Sequence, residues 1–260
     1  MLKFFKMQGL GHDYIYIDQI KNNKNINFGI LASGLCKRGY GVGADGIIVI
    51  KSSNCADAKM IIYNSDGSLA KMCGNATRCV AFYLSKKLNK KNITIQVGNQ
   101  IANCNILKSG SQSAIVKVEI NSPQVLKTIK RQIKNTVYSI NIVDVGNLHA
   151  VVFVKDFNFN YIQIAKLINK LKDFKDGVNV EFVQIKSLNK IKIKVFERGS
   201  GLTKACGSGA CASAYLYKRV FNKDAKKIKV CLDGGCLQIE FCKNKTIMTG
   251  AAKYVYKGEC

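Results

Sequence analysis

At 260 residues, with 47% hydrophobic and 9% aromatic side chains, the chain can bury a substantial core, and two domains of ordinary size suit its length. Disordered chains are poor in these residues, so that class is excluded. The net charge of +25 invites a nucleic-acid reading, but only five basic residues are arginine, and the lysines are scattered among asparagines, as in N-K-K-N at 89–92. Bidentate recognition favours arginine. The charge therefore reads as a solvated lysine-rich surface with weak, salt-sensitive affinity for polyanions and no specific nucleic-acid partner.

The opening M-L-K-F-F-K-M-Q-G lacks the apolar core of a signal peptide, and no apolar run approaches the roughly 20 residues of a membrane span. A cytoplasmic protein with no membrane partner is expected. In chain order, β-branched runs predict strands at 14–17, 46–50, 59–63, 93–97, 114–120, 137–143, 150–154, 181–185, 191–196, 228–232 and 237–241. Helical spacing falls at 28–37, 76–88, 162–171 and 210–221. The fold class is α+β and rich in strand. Pro123, the sole proline, forces its predecessor into an extended conformation and marks a crossover near 121–124.

The chain also resembles itself. Y-N-S-D-G-S-L-A-K-M-C-G from Tyr63 aligns with F-E-R-G-S-G-L-T-K-A-C-G from Phe196, so that Cys73 matches Cys206 (206 − 73 = 133). G-V-G-A-D-G at Gly41 matches G-V-N-V-E-F at Gly177 (177 − 41 = 136), and V-G-N-Q at Val97 matches D-G-G-C at Asp233 (233 − 97 = 136). Three matches at nearly constant spacing imply a duplicated domain. Two similar, pseudo-symmetric domains are expected, one of residues 1–120 with 249–260 and one of residues 121–248.

The 11 cysteines form no C-x-x-C pair and are expected to be reduced, and two histidines argue against a His-rich metal site. Cys73 and Cys206 each precede a glycine at the start of an apolar helix. There the free N–H groups and the helix dipole favour an anion, by about 0.3 to 1 kcal/mol at exposed sites. A single such cysteine is as readily a buried packing residue. Two in a duplicated fold suit removal of a proton from one face of a carbon and delivery to the other, with one thiolate and one thiol titrating as a coupled pair. Cys79 and Cys211, and with them Cys36, Cys55, Cys104, Cys231, Cys236, Cys242 and Cys260, read as packing residues.

These residues closely resemble the diaminopimelate epimerase family over essentially the whole chain. The resemblance rests on G-L-G-H-D-Y at 9–14, Y-G-V-G-A-D-G at 40–46, M-C-G-N-A-T-R-C at 72–79, G-N-L-H at 146–149, V-N-V-E-F at 178–182 and E-R-G-S-G-L-T-K-A-C-G-S-G-A at 197–210. It implies two α/β domains, each a barrel-like, mostly antiparallel sheet around a central helix, and a cofactor-independent, metal-free epimerase converting LL-2,6-diaminopimelate to the meso form in lysine and peptidoglycan synthesis. It assigns Cys73 and Cys206 as the acid/base pair and His149 and Glu197 as residues that tune them. Substrate contacts fall on His12, Asn64, Gly74, Asn75, Asn147, Asn179, Glu197, Arg198, Gly207 and Ser208. It also implies a homodimer, with Tyr256 in its formation.

The chain departs from the family pattern at His12, where the family generally has Asn, and at Ala76, Leu148 and Leu202, which replace a common Gly, Pro and Glu. Three alternatives stand beside the epimerase. They are a two-cysteine racemase for another amino acid, a basic nucleic-acid binder, and a duplicated structural protein whose chemistry has decayed.

Overall fold

The computed structural model describes residues 1–21, 25–70, 72–243 and 245–260. The chain divides into two compact units, Met1–Glu119 with Thr249–Cys260, and Ile120–Met248. The first carries β1 (Lys3–Gly9), β2 (His12–Asp18), α1 (Phe28–Leu35), β3 (Gly46–Lys51), β4 (Ala58–Asn64), β5 (Leu69–Ala70), α2 (Gly74–Leu88), β6 (Asn92–Val97), β7 (Gln100–Ser109) and β8 (Ser113–Asn121). Next come β9 (Gln124–Ile133), β10 (Thr136–Asp144), β11 (Leu148–Phe153), α3 (Tyr161–Asn169), β12 (Asn179–Ser187), β13 (Lys190–Glu197), β14 (Gly201–Leu202), α4 (Gly207–Phe221), β15 (Lys227–Leu232) and β16 (Gly235–Cys242). The last strand, β17 (Lys245–Glu259), passes from the second unit into the first at Thr249.

In the first unit β1 pairs antiparallel with β2, β2 parallel with β3, β3 antiparallel with β4, β4 parallel with β6, and β6–β7 and β7–β8 antiparallel. β17 then pairs with both β8 and β1, so the sheet closes on itself as a barrel. The second unit repeats the order strand for strand, β9–β10–β11–β12–β13–β15–β16, with β11–β12 and β13–β15 parallel and the other pairs antiparallel. The α+β, two-domain class expected from the sequence is the one observed.

A helix that is apolar all round has to be covered on all sides. α2 packs on β1, β2, β6 and β7 and buries nearly all of its first three turns, from Asn75 to Leu84. α4 packs on β10, β11, β12, β13, β15 and β16 and buries a small-residue run, Gly209–Ala214. α2 ends where Asn89 takes the left-handed conformation (φ 51°), with Lys86 and Lys87 in its last turn, where positive charge suits the free carbonyls.

The structure corrects the sequence reading in several places. α1 and α3 stop at Leu35 and Asn169, short of the 37 and 171 expected. β1, β5, β7, β9 and β14 were not expected as strands. The repeat offset also changes: Tyr14 stands opposite Gly46 in one parallel pair and His149 opposite Asn179 in the other, so Gly46 corresponds to Asn179 (179 − 46 = 133). The hairpins at Val97↔Gln100 and Leu232↔Gly235 give 232 − 97 = 135. Hydrogen-bonded register, not the short G-V and Gly-turn matches, sets equivalence, so both offsets of 136 are superseded. Cys231 and Cys236 are disulfide-bonded, against the expectation of reduced thiols throughout, because the β15–β16 register places them directly opposite each other. Cys55, Cys242 and Cys260 are exposed rather than packed.

Candidate active site

Cys73 is the N-cap of α2, in extended conformation (φ −146°, ψ 103°). Its sulfur accepts the Ala76 N–H at 3.5 Å, and its carbonyl accepts the Thr77 N–H and hydroxyl, both at 2.9 Å. Of these, the Ala76 N–H is a first-turn donor that lacks a partner within the helix. His12 and Tyr14 lie two residues apart on β2, hence on one face of the strand, and both reach the Cys73 sulfur. Asn75 Nδ2 stands 3.2 Å from His12 Nδ1, and the Tyr14 hydroxyl 3.2 Å from His12 Nε2. Burial pushes the Cys73 thiol up, but hydrogen bonds from His12, Tyr14 and Ala76, with the field of His12, outweigh it and hold the thiol below its ordinary value.

Beside this group Asp13 pairs with Lys6 at 2.8 Å and Arg38 at 2.5 Å. Burial raises the Asp13 carboxyl, but Arg38 and Lys6 together bring it below the usual range. A carboxyl lower in the folded than in the unfolded state stabilises the fold above its unfolded pKa and loses that contribution as pH falls through the folded one. Asp13→Asn should therefore flatten the decline of Tm below about pH 4. An unchanged acid limb would show that the pair contributes nothing.

Cys206 caps α4 in the same manner (φ −119°, ψ 114°), accepting the Gly209 N–H at 3.4 Å and lying 3.5 Å from the Ser208 hydroxyl. Its electrostatics are opposite to those of Cys73. Burial, then the charges of Glu197 and Glu181, drive this thiol well above its ordinary value, against the pull of Ser208 and Gly209. Glu181 is fully buried beneath the first turn of α4, with Oε1 2.7 Å from His149 Nδ1 and Oε2 without a hydrogen-bond partner. Burial raises its carboxyl, His149 opposes that and Glu197 adds to it. A Cβ at Gly209 would run into the Glu181 carboxylate, so only glycine lets the helix start lie against it.

Strand register makes the contrast residue by residue. His12 and Tyr14 correspond to Asn147 and His149 (147 − 12 = 149 − 14 = 135), while Ile48 and Asn64 correspond to Glu181 and Glu197 (181 − 48 = 197 − 64 = 133). The second unit thus carries two carboxylates where the first carries none.

The other residues singled out in the sequence divide between the two units. In the first unit Gly74 and Asn75 open α2, and Asn64 ends β4 with its amide on the Ser68 hydroxyl (2.9 Å). In the second unit His149 Nε2 lies 3.3 Å from Asn147 Oδ1, and Asn179 accepts the Arg198 N–H at 2.9 Å. Arg198 is exposed, donating to the Asp176 carbonyl at 3.2 Å. Glu197 accepts the Thr203 hydroxyl, and Gly207 and Ser208 open α4. Tyr256 stands apart, partly exposed on β17 and edge-on to Phe4 at 6.2 Å. Sequence reasoning missed Tyr14, Arg78 and Glu181. The signal for Glu181 was available: a lone carboxylate within the apolar strand V-N-V-E-F. Among the described residues no cluster of three His, Cys, Asp or Glu is placed to hold a metal, and no helix is long and apolar enough to cross a membrane.

Two like-folded units, each with a Cys-Gly turn opening a sheet-wrapped helix, define a fold shared with solved structures of low sequence identity. A phenazine biosynthesis protein of the PhzF family from Bacillus anthracis covers 100% of the chain and 98% of its own length (TM-score 0.76, 16% identity). A hydroxyproline epimerase from Agrobacterium vitis covers 99% and 91% (TM-score 0.76, 12% identity). These likenesses establish the fold.

Sequence similarity narrows the class. The diaminopimelate epimerase family model matches residues 4–126 and 141–255. The diaminopimelate epimerase of Carboxydothermus hydrogenoformans is 37% identical over 99% of both chains. The chain belongs to the diaminopimelate epimerase family.

Proposed function

We propose that the chain converts LL-2,6-diaminopimelate to meso-2,6-diaminopimelate, with Cys73 as the base and Cys206 as the acid of the resting enzyme. The observation that carries this reading is the opposite setting of two helix-capping thiols, one held toward thiolate and the other toward thiol. The Cys73 thiolate takes the substrate Cα proton, leaving a carbanion delocalised into the adjacent carboxylate. The Cys206 S–H then protonates the opposite face, so the turn ends with Cys73 as thiol and Cys206 as thiolate. Atoms balance through the two sulfurs and the substrate alone.

Backbone N–H groups at Gly74–Asn75 and Gly207–Ser208 suit the reacting carboxylate, where developing negative charge meets a helix start. Asn64, Asn147, Asn179 and Glu197 offer groups to the amino and carboxyl ends, and the exposed Arg198 fork suits a distal carboxylate. That distal carboxylate favours diaminopimelate over a racemase substrate such as proline, and comparing turnover on the two decides between them. A cytoplasmic homodimer using Tyr256 belongs to the same proposal.

Incubation in heavy water tests the reaction. Deuterium should enter the product at the inverted Cα, and inversion without deuterium would exclude proton exchange through the thiols. The thiol settings are tested separately by peptide-resolved alkylation against pH. Cys73 should reach half-maximal reactivity at a lower pH than Cys206, whereas coincident midpoints would remove the asymmetry.

A further inference from the structure

One side of His12 is held by a chain of hydrogen bonds that starts at a buried cation. Arg78 is fully buried in the first turns of α2, where its guanidinium donates to the carbonyls of Gly74 (3.3 Å) and Ala251 (3.2 Å) and to Asn75 Oδ1 (2.7 Å). An arginine can only donate, so the Asn75 amide must turn its oxygen to Arg78 and its NH2 to the other side. That NH2 meets His12 Nδ1 at 3.2 Å. An NH2 also only donates, so Nδ1 must accept, and the ring's proton belongs on Nε2. Packing keeps the chain in place: a Cβ at Gly9 would stand 3.0 Å from Arg78 Nη2 and 3.3 Å from Asn75 Cβ.

On the other side of the ring, Nε2 faces the Tyr14 hydroxyl at 3.2 Å and Asp45 Oδ2 at 3.6 Å. The Tyr14 hydroxyl also contacts the Cys73 sulfur, so sulfur and protonated nitrogen share a neighbour. The charged groups around the ring pull in different directions. Asp45 favours a second ring proton, but Arg38 holds Asp45 at 2.9 Å, and Asp13 on the same strand is taken up by Arg38 and Lys6. Arg78 and the donor–donor clash with Asn75 oppose that proton. A Cys73 thiolate would favour it, and a charged ring would add its field to the hydrogen bond; with Nδ1 tied to an amide donor, the neutral ring holds the thiol down by donation alone.

We infer that Arg78, acting through Asn75, fixes His12 as a neutral Nε2–H imidazole, which makes His12 a positioning residue that donates to Cys73 and takes no part in proton transfer. The role of His12, though not its tautomer, rests on the reading of Cys73 as a base. His12 thereby differs from its counterpart Asn147, an amide that can also accept, and from His149, whose Nδ1 meets a carboxylate.

The chain has only two histidines, so two-bond 1H–15N spectra of the full-length labelled protein read both rings, with His149→Gln to assign them. His12 is expected to show the Nε2–H tautomer and not to titrate between about pH 8 and about pH 5. In Asn75→Asp, whose carboxylate can accept from Nδ1–H, the ring should take a second proton within that range, with the His149 signals unchanged as the control for folding. An Nδ1–H tautomer, or titration of His12 in the parent protein, overturns the relay. For the role, His12→Phe should raise the alkylation midpoint of Cys73 by about one pH unit, and His12→Asn, which keeps a donor, should recover part of the shift. An unmoved midpoint overturns the role and leaves the tautomer standing. Because the spectra need no substrate, the relay can fail while Cys73 remains the base, and full turnover by Cys73→Ala removes the base without touching the spectra.

Discussion

Replacing Cys73 or Cys206 by alanine is expected to lower net epimerisation by about 10³-fold or more while the chain stays folded. Each sulfur accepts one weak backbone bond from its own helix, at 3.5 Å and 3.4 Å, so the lost cap costs only about 1 kcal/mol. The two variants should fail differently. Cys206→Ala keeps the low thiol of Cys73, so it should still exchange the Cα hydrogen of one substrate epimer with heavy water without inverting it. Cys73→Ala keeps only the thiol that burial, Glu197 and Glu181 drive upward, so exchange near neutral pH should also vanish and return as pH rises. Isotope exchange followed separately from inversion distinguishes these outcomes. Full turnover by either variant would refute the assignment, and identical exchange by both would refute the asymmetry.

Gly46→Ala is expected to destabilise the protein by about 2 to 3 kcal/mol and to remove activity as well. A Cβ at Gly46 would fall well inside contact distance of the Tyr63 carbonyl and 2.9 Å from Tyr14 Cε1. β3 cannot shift to relieve it, because the strand is buried along nearly its whole length and paired on both sides, with β2 and with β4. Tyr14 would have to move, and with it a hydrogen bond to the Cys73 sulfur. Gly34→Ala is the control. It lies in α1 with nothing within 4 Å of an added Cβ, and alanine there should be neutral or stabilising by up to about 1 kcal/mol. Urea titration of both variants checks the pair, and a Gly46→Ala protein as stable as its parent would show that the strand can give way.

What was legible in the sequence was whatever burial writes as a pattern. G-I-I-V-I at 46–50 is covered on both faces and reads as an unbroken apolar strand, and the helices after Cys73 and Cys206 read as apolar because sheet surrounds them. β9 was invisible because only Ile133 in Q-V-L-K-T-I-K-R-Q-I is buried, so no alternation marks it. The first half of β17 does alternate in burial, but of its inward positions, Thr246, Met248, Gly250 and Ala252, only the threonine favours strand.

The duplication, the two Cys-Gly helix starts and the family are legible without the fold, since each is carried by short runs of neighbouring residues and by matches between such runs. The difference between the two thiols emerges with folding, because the residues that set them come from distant segments: His12 and Tyr14 beside Cys73, Glu181 and Glu197 beside Cys206. Cys-Gly reads the same in both halves. Its charge is set by strand pairing, which brings an imidazole and a phenol to one sulfur and two carboxylates to the other.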